Sequence, residues 1–356
     1  MNNSSSKSKT AFVLSGGASL GAVEVGALKA IAEHGIKADL VLGTSVGSLN
    51  GAMYAYNPTL EGIKQLEEIW LNIKAWDVFT PSPVTPVLEI TTAGQYLISP
   101  KNLRKLINKK MPFTNIEDTK VPLYIIGTDV KSGEEIVFNK GLAIEALMTS
   151  AGIPGVFPPQ HMANRTLVDG GIVNNAAIST AYRLGAERIV IFPIGTPSPD
   201  REPKHFTEMI IHSLIYLLNR QLTADILYFK DQVEMILVPP PDNVDVWPND
   251  FSQSKKLITE AYKTAKQWLD EEGFTSNIDE INLPCNVYTK PINFMEAVTP
   301  DPPPKALDRV KERVSETTKA INHTLTKKSK RIKKSLVEKK DDVKEKLLRK
   351  KSEEEK

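Results

Sequence analysis

Apolar positions along this chain form short runs of strand length that alternate with longer stretches at helical spacing, and glycine or proline loops separate them. The first run, Thr10–Leu14, leads through a glycine-rich loop into Ala22–Glu33, where apolar residues recur with helical period until Gly35. A second strand is expected over 38–42, followed by an apolar helix over 49–56. Strand, loop, helix and strand make a βαβ unit, which predicts parallel strands and a right-handed crossover. The alternation continues. Helices are expected over 59–73, 100–109, 142–150 and 176–184, and strands over 122–129, 166–168 and 188–193. The strand at 135–138 pairs back on 122–129 as a hairpin. Beyond residue 204, amphipathic helices over 205–229 and 251–271 flank a strand at 233–238. The fold class is therefore α/β, a mostly parallel central sheet sandwiched by helices. Residues 76–99 carry three prolines and little periodicity. They read equally as a lid over the site and as a packed surface loop.

Two loops at the ends of neighbouring strands carry the chemistry. Gly43-Thr44-Ser45-Val46-Gly47 is G-x-S-x-G between a strand and a helix, the pattern of a nucleophile elbow. A Cβ at Gly43 or Gly47 would clash where strand and helix approach, and the serine between them takes a strained backbone. The earlier loop, Ser15-Gly16-Gly17-Ala18-Ser19-Leu20-Gly21, lacks G-x-G-x-x-G spacing and has no following Gly-Lys-Ser/Thr. It fits nucleotide binding poorly. Bare amides at a helix N-terminus suit instead the oxyanion formed when Ser45 attacks an ester.

A serine nucleophile needs a base. The histidines are His34, His161, His205, His212 and His323. His205 and His212 stand in a helical pattern rather than in a loop after a late strand, and His161 reads as structural. Asp169 ends a strand and precedes Gly170 and Gly171, which let its carboxylate approach another backbone closely. By itself an Asp-Gly step is usually a turn. Beside an elbow and a glycine loop, Asp169 is the better base.

Taken together, four stretches resemble the patatin-like phospholipase family. They are Leu14-Ser15-Gly16-Gly17-Ala18-Ser19-Leu20-Gly21-Ala22, Gly43-Thr44-Ser45-Val46-Gly47, Ser150-Ala151-Gly152-Ile153-Pro154-Gly155-Val156-Phe157-Pro158-Pro159, and Asp169-Gly170-Gly171 with Asn175 after it. They occur in the family's order. The resemblance implies a three-layer patatin-like fold and a Ser45–Asp169 dyad without histidine. It also implies an oxyanion hole from the amides of Gly16, Gly17 and Ala18, with no metal or cofactor. The implied function is lipid acyl hydrolysis through an acyl-enzyme on Ser45. The alternative is a catalytically weak lipid-binding or scaffolding protein. The first loop departs from the family's G-G-G-x-R-G, with Ala18 for the third glycine and Leu20 for the arginine. Alanine still donates its amide if its φ stays negative.

Composition is globular, with 41% hydrophobic and 25% charged residues, and the lone cysteine excludes an intramolecular disulfide. Cys285 reads as a small buried hydrophobe. Neither a secretory signal nor a membrane span is expected, which points to a cytoplasmic, peripherally membrane-associated protein. Charge is uneven: residues 327–351 hold 13 Lys/Arg against 4 Asp/Glu. Apolar residues in 305–356 recur at Val310, Val314, Ile321, Leu325, Ile332, Leu336, Val343 and Leu347, an eleven-residue repeat along one helical stripe. Membrane contact, an oligomeric coiled coil and a solvated helix all fit the stripe, whereas nucleic acid has no use for it. The expected organisation is a disordered 1–9, a catalytic core over 10–195, a helical flank over 196–299 completing the same domain, and a basic amphipathic tail over 305–356.

Overall fold

Period-two alternation sorts the strand side chains between two cores. In β1 (Thr10–Leu14), Ala11 and Val13 enter one core while Phe12 and Leu14 enter the other. In β2 (Leu40–Thr44), Leu40 and Leu42 oppose Val41 in the same way. Such strands must be covered on both faces, which gives three layers.

The computed structural model describes residues 8–79, 96–195, 202–203, 206–241, 246–275, 278 and 283. The remaining strands are β3 (Leu123–Asp129), β4 (Glu135–Phe138), β5 (Gln160–Met162), β6 (Arg165–Asp169), β7 (Arg188–Phe192) and β8 (Glu234–Leu237). They form one sheet in the order β5-β6-β3-β2-β1-β7-β8, with β4 also on β3. Strands β3, β2, β1, β7 and β8 are mutually parallel. The β3/β4, β3/β6 and β5/β6 pairs are antiparallel. The mostly parallel sheet is as expected. The second strand lies two residues later than its apolar run suggested, because Asp39 still caps the approach to it, its carboxylate accepting from the Thr10 amide at 2.9 Å.

One face is covered by α1 (Ala22–Glu33), α2 (Val46–Tyr56), α3 (Leu60–Asn72) and, late in the chain, Ser254–Glu271. A Cβ on Gly26 of α1 would lie 2.2 Å from the Ile258 carbonyl, so glycine there lets α1 and Ser254–Glu271 cross at backbone distance. Between α3 and β3 come a single turn, α4 (Ala75–Val78), and α5 (Lys101–Lys110). After β4 comes α6 (Ala143–Ser150). The other face is covered by α8 (Ile178–Arg183), which follows the short α7 (Gly171–Asn174), and by α9 (Phe206–Phe229); Ser254–Glu271 is α10.

The chain divides into Met1–Thr289 and Lys290–Lys356. The second unit, with the tail expected over 305–356, lies outside the described residues, as do His205, His323, Cys285 and residues 80–95 of the expected lid or loop. Among the described residues, no helix is long and apolar enough to cross a membrane.

Candidate active site

Strand register brings the two candidate groups to one level of the sheet. Thr44 of β2 pairs with Ile126, and Gly127 pairs with Asp169. Ser45, next after Thr44, and Asp169 therefore stand on either side of Gly127. Both side chains are buried, at 7% and 6% exposure.

Ser45 has φ 54° and ψ −127° and stands at the N-cap of α2. A non-glycine residue there stores on the order of 1–3 kcal/mol of backbone strain. What holds it is close packing. A Cβ on Gly43 would lie 2.5 Å from the Gly47 carbonyl, and one on Gly47 would lie 2.4 Å from the Leu14 carbonyl. Both elbow glycines are thus demanded by space. The Ser45 amide donates to Ser150 Oγ at 2.9 Å, and Ser48 Oγ donates to the Ser45 carbonyl at 2.6 Å.

Asp169 is fixed as firmly. Its Oδ1 accepts from the Gly171 amide at 2.8 Å, and its own carbonyl accepts from Thr128 Oγ1 at 2.8 Å. A Cβ on Gly170 would lie 2.5 Å from the Ile126 carbonyl, and one on Gly171 would lie 3.2 Å from Asp169 Oδ1. Burial raises the Asp169 pKa from 3.8 to about 6, while the hydrogen bond from the Ser45 side chain and that from the Gly171 amide pull it down. A carboxylate so placed is a far better base near neutrality than an exposed aspartate.

The glycine loop faces Ser45. A Cβ on Gly16 would lie 2.9 Å from Ser45 Cβ. The Gly16 amide is held by Asn175 Oδ1 at 3.1 Å, and Asn175 Nδ2 donates back to the Gly16 carbonyl at 3.4 Å. Of the three amides expected to face an oxyanion, Gly16 is therefore already engaged. Among the described residues, the amides of Gly17 and Ala18 have no acceptor. Ala18 has φ 52°, not the negative value expected of an alanine. The chain turns there directly into the 3-10 segment Ala18–Gly21, and the left-handed conformation costs about 1–2 kcal/mol. Leu20 is 4% exposed and packs into the core beneath α1 and α2.

A second buried network ties this loop to the elbow helix. Asn50 of α2 donates to the Gly21 carbonyl at 2.9 Å and to Glu24 Oε2 at 2.7 Å, and accepts from Trp70 Nε1 at 2.8 Å. Burial pushes the Glu24 carboxyl well above its ordinary pKa, against the opposing hydrogen bonds from Asn50 and the Ser15 backbone. No motif marks Glu24, Asn50 or Trp70 in the sequence.

An apolar cavity opens on Ser45 and Ala18. It runs between α2, α3 and α5 past Met53, Trp70, Phe79 and Ile107 to Lys110. Phe79 stacks on Phe157 at 5.9 Å and meets Phe251 at 6.0 Å, closing one wall. Among the described residues, the histidines take no part in this arrangement. His34 Nε2 pairs with Asp270 at 3.1 Å, His161 Nδ1 meets Thr166 Oγ1 at 3.3 Å, and His212 packs on Tyr216.

Residues 12–182 match the family model "Patatin-like phospholipase". The human patatin-like phospholipase domain-containing protein 6 is 29% identical over 188 residues, which are 52% of this chain and 13% of that protein. The neuropathy target esterase sws of Drosophila melanogaster is 28% identical over the same shares of each chain. Lysophospholipase NTE1 of Scheffersomyces stipitis is 28% identical over 201 residues, 56% of this chain and 12% of that protein. The chain thus spans about an eighth of the length of these curated relatives. All four loops of the site lie within residues 12–182, the stretch that carries this chain's resemblance to the patatin-like phospholipase family.

Proposed function

We propose that this protein is a serine hydrolase of lipid carboxylic esters, with Ser45 as nucleophile and Asp169 as base. The supporting observation is one juxtaposition. A strained buried serine stands beside a buried carboxylate with a pKa of about 6, at the mouth of a cavity lined almost wholly by apolar side chains. Such a cavity suits an acyl chain and little else.

Asp169 accepts the Ser45 proton as Oγ attacks the ester carbonyl. The amides of Gly17 and Ala18 face the developing oxyanion. Asp169 then gives the proton to the leaving alcohol, and afterwards takes one from the water that cleaves the acyl-enzyme. General-base assistance contributes ~10²–10⁴ in rate and each oxyanion donor ~10²–10³. The names of the relatives, an esterase and a lysophospholipase among them, agree with this reading.

The test is hydrolysis of p-nitrophenyl esters and then of lysophospholipids by wild type, Ser45→Ala and Asp169→Asn. Activity that survives Ser45→Ala sinks the assignment. A catalytically weak lipid-binding protein is the second reading, favoured by Leu20, which is buried in the core and puts no cation in the loop. The chain attaches peripherally to anionic membranes through residues 305–356 in this proposal. Truncation after Pro304 then removes the salt-sensitive part of binding to anionic liposomes without loss of soluble-ester turnover, and unchanged liposome binding would refute that role.

A further inference from the structure

Over Met209–Asn219, helix α9 is apolar where it is exposed, apart from Ser213. From Met209 to Asn219 it contains no Asp, Glu, Lys or Arg. Met209 is 53% exposed, Leu217 62%, and Ile210, Leu214 and Tyr216 are each 45% exposed. Within this stretch only Ile215 and Asn219 are buried. A helix that is apolar on every side belongs in a core, and an exposed patch of this kind marks a binding surface. At about 1.5 Å per residue the stretch is far shorter than the ~20 residues that span a bilayer, so it can lie on a lipid surface but cannot cross one.

Topology places it at the catalytic edge. β7 and β8 are parallel, so the helix between them starts where β7 ends. β7 is parallel to β1 and β1 to β2, and those strands end at the glycine loop and at Ser45. The helix is also pinned to the turn after Asp169. Gln221 Nε2 donates to the Val173 carbonyl, and Gln221 Oε1 accepts from the Asn175 amide at 3.4 Å. On that turn Ile172 is 55% exposed.

We propose that the apolar face of Phe206–Phe229 docks on a lipid surface, with Met209, Ile210, Leu214 and Leu217 entering the acyl boundary and Tyr216 at headgroup level. The choice of lipid as occupant rests on the ester-hydrolase reading above and on charge. The stretch Met209–Asn219 carries no Asp, Glu, Lys or Arg, and Arg220, exposed on the same face one turn beyond Tyr216, suits a headgroup phosphate. The same chain carries 13 Lys/Arg against 4 Asp/Glu over 327–351. Durable membrane attachment takes two signals, one apolar and one of charge or a second chain, and here both are present. A single convex helix face also presents no groove for a protein partner, whereas a lipid surface demands no complementary shape.

The experiment uses the full chain in a Cys285→Ser background with Leu217→Cys carrying an environment-sensitive fluorophore. Phosphatidylcholine vesicles are added in salt high enough to screen the 327–351 charges. The expected result is a blue-shifted, brighter emission on vesicle addition. Adding Ile210→Ser and Leu214→Ser weakens partitioning by about tenfold or more, while Ile210→Leu with Leu214→Met preserves it. No response to vesicles overturns the proposal. So does a shift that grows with protein concentration without vesicles, which identifies a second copy as the occupant. p-Nitrophenyl ester turnover, followed in parallel, separates the two readings. Turnover without a vesicle response refutes the docking surface alone, and a vesicle response without turnover supports docking and refutes the ester-hydrolase reading.

Discussion

The amide of Ser45 donates to the hydroxyl of Ser150, 105 residues away, at 2.9 Å with both residues buried. That bond ties the turn at Ser45 to the end of α6 and fixes the Ser45 backbone. Ser150→Ala leaves a buried amide without an acceptor, which costs about 1–3 kcal/mol. Thermal melts are expected to show that loss. Initial rates are expected to show kcat falling with KM nearly constant, because the substituted group does not face the cavity. A rise in KM with kcat unchanged would instead assign Ser150 to substrate contact.

Ser45→Gly is expected to abolish ester turnover while raising stability by roughly 1–2 kcal/mol, since glycine occupies φ 54°, ψ −127° without strain. Chemical denaturation of the two proteins measures the difference. A destabilised glycine variant would mean that the conformation of Ser45 stores no strain.

Asp169 makes a signed prediction about pH. Below pH 3.8 folded and unfolded chains both hold the proton, and between 3.8 and about 6 only the folded chain does. Stability contributed by this group therefore falls as pH rises through that window, by about 3 kcal/mol in all. Asp169→Asn escapes the penalty. Its stability relative to wild type should grow from near zero at pH 4 to its full value above pH 6, while turnover drops ~10²–10⁴-fold. In wild type, kcat/KM should fall as pH drops through about 6. A profile flat down to pH 4 would show that Asp169 is not the base.

Much of this site is legible in residue types, and some of it is not. Gly43 and Gly47 announce themselves because the elbow has no room for Cβ atoms, and that demand is local. The alternation of β1 and β2 is equally local. Even so, the helix after Ser45 starts at Val46, three residues before its apolar run, because the elbow turns straight into α2 and Gly47 is helical there. Ser150 and Asn175 have no local signature as positioning groups, since their partners are brought up from 105 and 159 residues away. Ala18 misleads in another way. The residue type argues for a negative φ, and the loop imposes 52°.

Asn175 supplies a further test. It clamps Gly16 through both backbone groups across 159 residues. Asn175→Ala frees the Gly16 amide and slackens the loop opposite Ser45. The expected outcome is a tenfold or larger loss in kcat, in line with about 1–3 kcal/mol for a broken buried hydrogen-bond pair, with KM little changed. Unaltered kcat would mean that the loop holds its shape without the clamp.

The central claim is that Ser45 is a nucleophile activated by Asp169. Fluorophosphonate labelling followed by peptide mass spectrometry addresses it most directly. The account predicts covalent label on Ser45 in wild type, none in Ser45→Ala, and labelling slowed ~10²–10⁴-fold in Asp169→Asn. Folded wild-type protein that takes up no label, or label at a serine other than Ser45, would contradict it.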